Sequence, residues 1–286
     1  MTTILILGAS GSIGSYLVPL LRRDPSLELR ALARNEEKAA HLRAQGITPF
    51  IGDLDDARSL PPAFEGIDRL WLLTAFGPRS PENSMNAVWA ARQAGVKHVV
   101  RLSAIGAAHD APTRNGRLHA LSDRELAASG IPWTVIKPHY FMQNLLPQVP
   151  AMKAQGALYQ DLGEGRLAMI DVKDVAEFGT AILTQPERHV EKTYTITGPA
   201  SIGLRDVASE FGRALERRVD YVALSHDAAR EALVGAGVPP WFADGFVEYG
   251  AAYERGWGDF TTPDFESVVG RKATSFAEFL ARKPFA

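Results

Sequence analysis

An apolar run, Ile4-Leu5-Ile6-Leu7, passes directly into Gly8-Ala9-Ser10-Gly11-Ser12-Ile13-Gly14, and a helical pattern opens within that segment and continues to residue 23. A strand that turns into a helix through glycines three residues apart admits few folds. Gly8 permits the tight turn, Gly11 lets backbone amides approach a pyrophosphate, and Gly14 allows the helix to pack close to the strand. The helix N-terminus adds unpaired N–H groups and a partial positive charge. The segment predicts a dinucleotide site, with Gly8, Ser10, Gly11, Ser12, Ile13 and Gly14 around the phosphates.

The next 130 or so residues repeat one rhythm. Short apolar runs at Ile4 to Leu7, Leu29 to Ala33, Thr48 to Ile51, Arg69 to Leu73, His98 to Leu102 and Trp133 to Ile136 alternate with helical patterns at 12–23, 35–45, 56–64, 82–94 and 118–129. Nearly continuous apolar runs of this length suit parallel strands covered on both faces. Gly46, Gly66, Gly95 and Gly130 stand at the helix-to-strand joints, where C-terminal caps belong. Repeated β-α units with right-handed crossovers give an α/β fold, a Rossmann-type doubly wound, mostly parallel sheet. After Pro138 the rhythm breaks. Residues 139–170 have no clean period, helices follow at 172–185 and 204–216, strands at 193–197 and 219–224, and the chain beyond His226 reads as mainly helical. The expected organisation is a dinucleotide-binding domain at 1–150. A smaller, mainly helical C-terminal lobe at 151–286 would be interleaved with returning strands.

Composition removes several classes of function. A formal charge of −2, with no run of five like charges, argues against a nucleic-acid partner bound through counterion release. The absence of cysteine excludes a disulfide framework, a thiolate nucleophile and any cysteine-held metal. The seven histidines show no metal-binding spacing, so no metal is expected. Neither a hydrolase elbow nor a Walker loop is present. No stretch is apolar for the ~18 residues a membrane span needs. The N-terminus lacks the basic region of a secretory signal, which points to the cytoplasm.

The end of the second strand bears on cofactor choice. An acid there binds the ribose 2′-hydroxyl in NAD-specific proteins. This chain instead has Arg34, in Ala33-Arg34-Asn35-Glu36-Glu37-Lys38. A guanidinium at that place, with Lys38 one turn into the next helix, suits a 2′-phosphate, and the expected cofactor is NADPH. Glu36 and Glu37 are a mild contrary signal.

Further segments carry a family resemblance. They are Gly52-Asp53-Leu54, Ala94-Gly95-Val96-Lys97-His98-Val99-Val100, Ser129-Gly130-Ile131-Pro132-Trp133-Thr134 leading to Lys137-Pro138, and Gly270-Arg271-Lys272-Ala273-Thr274-Ser275-Phe276. With the Gly-x-x-Gly-x-x-Gly loop, the chain resembles, over nearly its whole length, the NmrA-like group of atypical short-chain dehydrogenases/reductases. That group contains NADPH-dependent quinone oxidoreductases, triphenylmethane reductases and an azoreductase, beside redox-sensing regulators without turnover. The resemblance implies further cofactor contacts at strand ends: Asp53 and Leu54 by the adenine, then Thr74, Ala75 and Phe76, then Ser103 and Ala104, with Lys137 and Pro138 near the nicotinamide.

None of the seven tyrosines is followed four residues later by lysine, the pair with which alcohol-handling members of the superfamily do acid–base work. The corresponding region reads His119-Ala120-Leu121-Ser122-Asp123-Arg124-Glu125. Hydride transfer to an acceptor that is already electrophilic needs no such pair: a quinone, an azo dye or a triarylmethane dye. There the cofactor carries the chemistry and the protein supplies orientation and a dry slot. His119, His139 and Tyr140 are candidates for a proton donor, of which His119 and Tyr140 are carried forward as the catalytic pair. The resemblance implies a substrate slot from the residues after the sixth strand, His139, Tyr140, Phe141, Met142 and Asn144, and Trp241, beside Pro239-Pro240, is a candidate to roof it from the C-terminal lobe. Phe242, Phe246, Tyr249 and Tyr253 share one helical face and read as core. The partner expected is a small aromatic molecule, bound by a monomer or homodimer. The alternative is a dinucleotide redox sensor that acts through a protein partner without turnover.

Overall fold

Strand β1 (Thr2–Ile6) is covered on both faces, with Ile4, Leu5 and Ile6 fully buried in a computed structural model that describes residues 1–285. It begins the series α1 (Gly14–Leu21), β2 (Leu27–Ala33), α2 (Glu36–Ala44), β3 (Thr48–Ile51), α3 (Pro61–Phe64), β4 (Arg69–Leu72), α4 (Ser80–Gln93), β5 (His98–Leu102), α5 (Arg114–Ala128) and β6 (Trp133–Pro138). After β6 come α6 (Val149–Gln155), β7 (Ala157–Gln160), β8 (Arg166–Leu167), α7 (Val172–Thr184), β9 (Lys192–Ile196), β10 (Ile202–Gly203) and α8 (Leu204–Ala214). The chain closes with β11 (Asp220–Ala223), α9 (His226–Gly235), α10 (Pro240–Glu254), α11 (Asp264–Val269) and α12 (Phe276–Ala281).

Seven strands form one sheet in the order β3-β2-β1-β4-β5-β6-β9. Pairing is parallel from β3 through β6, so every following loop leaves the same edge. This is the doubly wound, Rossmann-type α/β sheet expected from the rhythm of apolar runs. By contacts the chain divides into two units, and the first comprises Met1–His109, Gly116–Lys137 and Val172–Tyr194. Its core joins Leu5, Leu7, Phe64, Leu70, Leu72, Val88, Val99 and Leu126. Helix α7 belongs to this unit and packs on α1. It lies so close to β4 that a Cβ on Gly179 would come within 2.5 Å of the Trp71 ring. The second segment of the first unit ends at Lys137, and its third, Val172–Tyr194, carries α7 and the start of β9, the strand next to β6 in the sheet.

The second unit comprises Asp110–Asn115, Pro138–Asp171 and Thr195–Ala286. It holds two small sheets, β11 paired in parallel with β7 and β10 paired antiparallel with β8. Its core gathers Met142, Leu145, Met152, Leu158, Leu167, Phe211, Phe276 and Phe279. Strands β7, β8 and β10 were not foreseen, being two to four residues long. The aromatic face of α10 is core at Tyr253, which is 1% exposed, but Phe246 is 46% exposed.

Candidate active site

The loop after β1 has the geometry its glycines require. Gly8 has φ 76°, a left-handed conformation costly for any residue with a Cβ. A Cβ on Gly14 would lie 2.3 Å from the carbonyl oxygen of Ala9, so α1 can start this close to the loop only with glycine. The Gly11 N–H donates to Gly8 O at 2.9 Å, which closes the turn. Ser10, Gly11 and Ser12 are exposed, whereas Ile13, the residue that precedes α1, is buried.

The parallel order brings the remaining expected cofactor residues of the first unit to the edge where β1 to β6 end, which is where open α/β sheets bind ligands. Arg34 follows β2, is exposed and makes no ion pair among the described residues. Next to it, Asn35 caps α2 by accepting from the Lys38 N–H at 3.0 Å. Glu36 is engaged by Arg43, which weakens it as a competitor for Arg34. After β3, Asp53 Oδ1 accepts from the Asp55 N–H at 3.0 Å, and Asn86 on α4 holds the Leu54 carbonyl at 2.8 Å. After β4, Ala75 is exposed and Phe76 half-buried, and the buried Thr74 Oγ1 has no hydrogen-bond partner among the described residues. Buried polar atoms are rarely left so. An orphaned hydroxyl at this edge, a glycine cradle and an unpaired cation fit the polar surface of a dinucleotide.

Beneath this edge lies a buried network centred on Arg101 of β5. Its side chain is 1% exposed, and its Nε donates to Asp123 Oδ1 at 2.8 Å. Its other nitrogens donate to Ser84 Oγ at 3.0 Å and His119 Nδ1 at 3.2 Å. Asp123 Oδ2 accepts from Ser103 Oγ at 2.7 Å and lies 3.8 Å from Lys137 Nζ. Burial, with the charges of Arg101 and Lys137, pushes the His119 pKa down to about 3. His119 is therefore neutral at ordinary pH and holds no imidazolium proton to give. Ser103, Lys137 and His119 are legible in the sequence as candidate site residues, whereas Arg101, Ser84 and Asp123 are not visible there as parts of one network. One signal was available: Arg101 is a lone charge inside the apolar run His98-Val99-Val100-Arg101-Leu102, and a strand covered on both faces tolerates that only with a partner.

In the second unit, the residues after β6 divide by environment. His139 is 2% exposed, donates from Nε2 to Gly258 O at 2.9 Å and accepts the Tyr140 N–H on Nδ1 at 2.7 Å. Both ring nitrogens are spent on backbone, and burial pushes the pKa down to about 4, so the ring braces this turn and offers a ligand no polar atom. Met142 is 1% exposed and belongs to the core of its unit, which withdraws it from a lining role. Tyr140 and Phe141 are half-buried and Asn144 is exposed. Burial and the charge of Asp161 raise the Tyr140 phenol well above its ordinary range, and its ring meets Tyr253 edge-on at 6.1 Å. Trp241, half-buried, is gripped by Arg114, which stacks on its ring at 5.2 Å and donates to its carbonyl at 3.1 Å. Among the described residues no group of three or more His, Asp or Glu side chains could hold a metal, and no helix is long and apolar enough to cross a membrane.

Comparison with known proteins agrees with this geometry. Residues 8–186 match the NAD(P)H-binding family. The NAD(P)H azoreductase of Xenophilus azovorans is 37% identical, over 96% of each chain. A (4-alkanoyl-5-oxo-2,5-dihydrofuran-3-yl)methyl phosphate reductase of Streptomyces griseus is 32% identical, over 97% of this chain and 96% of that one. The crystal structure of an NADPH-dependent quinone oxidoreductase of Escherichia coli complexed with NADPH superposes with a TM-score of 0.89 at 26% identity, covering 98% of this chain and 99% of the other. The chain thus belongs to the NAD(P)H-binding family, consistent with its resemblance to the NmrA-like atypical short-chain dehydrogenases/reductases, and is an NAD(P)H-dependent reductase.

Proposed function

We propose that this reductase uses NADPH to reduce an electrophilic aromatic acceptor, a quinone, an azo dye or a triarylmethane dye. The observation that carries the reading is the state of α5. Two of its positions four residues apart hold a neutral His119 and an Asp123 committed to Arg101 and Ser103, in place of an activated phenol and its lysine. Such a helix suits an acceptor that needs no acid–base pair to become reactive. NADPH supplies the hydride when bound, and a quinone that accepts it takes one proton from water to become the hydroquinone. The relatives named for azo and quinone substrates favour this class. Arg34, exposed and unpaired, supports NADPH over NADH by offering a fork to the 2′-phosphate. In this reading Gly8 to Gly14, Arg34, Lys38, Asp53, Leu54, Thr74 to Phe76, Ser103, Ala104, Lys137 and Pro138 hold the cofactor. Tyr140, Phe141, Asn144 and Trp241 contact the acceptor. The protein works in the cytoplasm on a small molecule, as a monomer or homodimer.

The test is NADPH oxidation by purified, flavin-free protein against a panel of quinones, azo dyes and triarylmethane dyes, with cofactor deuterated stereospecifically at nicotinamide C4. Turnover with at least one acceptor, with a primary isotope effect, is expected. No turnover across the panel, together with a large affinity gap between NADP⁺ and NADPH, would replace the enzyme by a redox sensor.

A further inference from the structure

Lys137 Nζ gives one N–H to the Ala107 carbonyl at 2.9 Å. Asp123 Oδ2 lies 3.8 Å away, within ion-pair range but beyond a hydrogen bond. An ammonium has three donors, so Asp123 attracts the head of Lys137 without consuming a second one. The carboxylate is itself fixed. Oδ1 takes the Arg101 Nε–H at 2.8 Å and Oδ2 takes the Ser103 hydroxyl at 2.7 Å, and the carboxylate side chain is only 14% exposed. Arg101 is fixed in turn by Ser84 and His119. A buried guanidinium needs one counter-charge. Here that counter-charge is shared, so two cations and one carboxylate leave one positive charge, and Lys137, the more exposed cation, carries it to the edge where β6 ends.

We propose that Asp123, locked by Arg101, is a positioning residue. It holds the Lys137 ammonium in place for the nicotinamide half of the cofactor without touching the cofactor itself. The inference rests on the reading that Lys137 contacts the cofactor. It assigns Arg101 and Asp123 a part in cofactor binding although one lies inside a strand and the other on the neighbouring helix.

The experiment is a mutant cycle read by NADPH titration calorimetry, with thermal unfolding to verify folding and steady-state kinetics to separate KM for NADPH from kcat. Asp123→Asn alone strands a buried guanidinium and is prone to unfold. The working variant is therefore the pair Arg101→Gln with Asp123→Asn, which removes both charges and keeps polar partners. Lys137→Met is the reference. Loss of a charge-assisted contact weakens binding about tenfold or more, and that loss is expected for Lys137→Met and for the neutral pair alike, mainly in KM. The triple variant is expected to bind no more weakly than Lys137→Met, since residues acting through one contact do not add. A neutral pair that binds NADPH as tightly as the native protein, while Lys137→Met is weakened, would overturn the positioning role alone. Losses that multiply in the triple variant would also overturn it. Unchanged affinity in Lys137→Met would remove the cofactor role of Lys137 itself, and the inference with it.

Discussion

The Nδ1 atom of His119 accepts a hydrogen bond from the Arg101 guanidinium at 3.2 Å. A guanidinium only donates, so this nitrogen carries a lone pair and the imidazole is neutral. Two other histidines are kept neutral by burial. His98, on β5, has its Nε2 2.9 Å from Thr134 Oγ1, whose hydroxyl donates to His189 O at 2.7 Å. Its pKa is pushed down to about 4, chiefly by burial, and that of His139 likewise to about 4.

These three rings predict acid sensitivity well above the carboxylate range. In each, the folded-state pKa lies below the ordinary 6.5, so as pH falls the unfolded chain takes up protons first. Their stabilisation is complete above pH 6.5 and is lost between there and about pH 3–4, at up to about 1.4 kcal/mol per histidine for each pH unit. Urea unfolding at pH 7.5, 6.5, 5.8 and 5.0 is expected to show a plateau and then a steep decline. A stability unchanged from pH 6.5 to 5.0 would show that the rings take up protons as readily in the folded protein as in the unfolded chain.

Cofactor preference is expected to turn on Arg34. Arg34→Asp removes the charge-assisted pair and adds repulsion toward a 2′-phosphate. The expected loss of NADPH affinity is about 2–3 kcal/mol, with NADH much less affected. Because Arg34 is exposed and makes no ion pair among the described residues, the fold is expected to be untouched. Parallel titrations with both cofactors decide the point, and an unchanged NADPH affinity would remove Arg34 from the site.

What could be read from the chain alone follows from how local each feature is. The turn at Gly8 to Gly14 and the cation after β2 are contiguous with the strands that place them, so their spacing carries their geometry. The boundaries that shifted are tertiary. Helix α5 begins at Arg114 rather than 118, because Arg114 pairs with Glu248, 134 residues away, at 2.8 Å. Strand β7 is four residues in a stretch without period, and its partner β11 starts only at Asp220. Arg101 and Asp123 are 22 residues apart on different elements, and no periodicity links them. His139 shows the opposite failure. Its place after the sixth strand suggested a ligand contact, and only the positions of Gly258 O and the Tyr140 N–H reveal that both nitrogens are already used.

Tyr140 tests how much acid–base chemistry the enzyme performs. Its phenol is raised well above the ordinary value by burial and by Asp161, the reverse of what an activated tyrosine needs. Its ring is held by Tyr253, which in turn stacks on His139 at 5.9 Å and Tyr249 at 5.8 Å, so removing the hydroxyl leaves the packing in place. In Tyr140→Phe, kcat with a quinone is expected to fall by less than about a hundredfold, the lower limit for general acid catalysis. Solvent supplies the proton in that case, and the residual rate is expected to stay nearly flat between pH 6.5 and 8. A ten-thousandfold loss in kcat with unchanged NADPH affinity would mean that the phenol is the proton donor despite its environment, and that the acceptor is one that must be protonated to react.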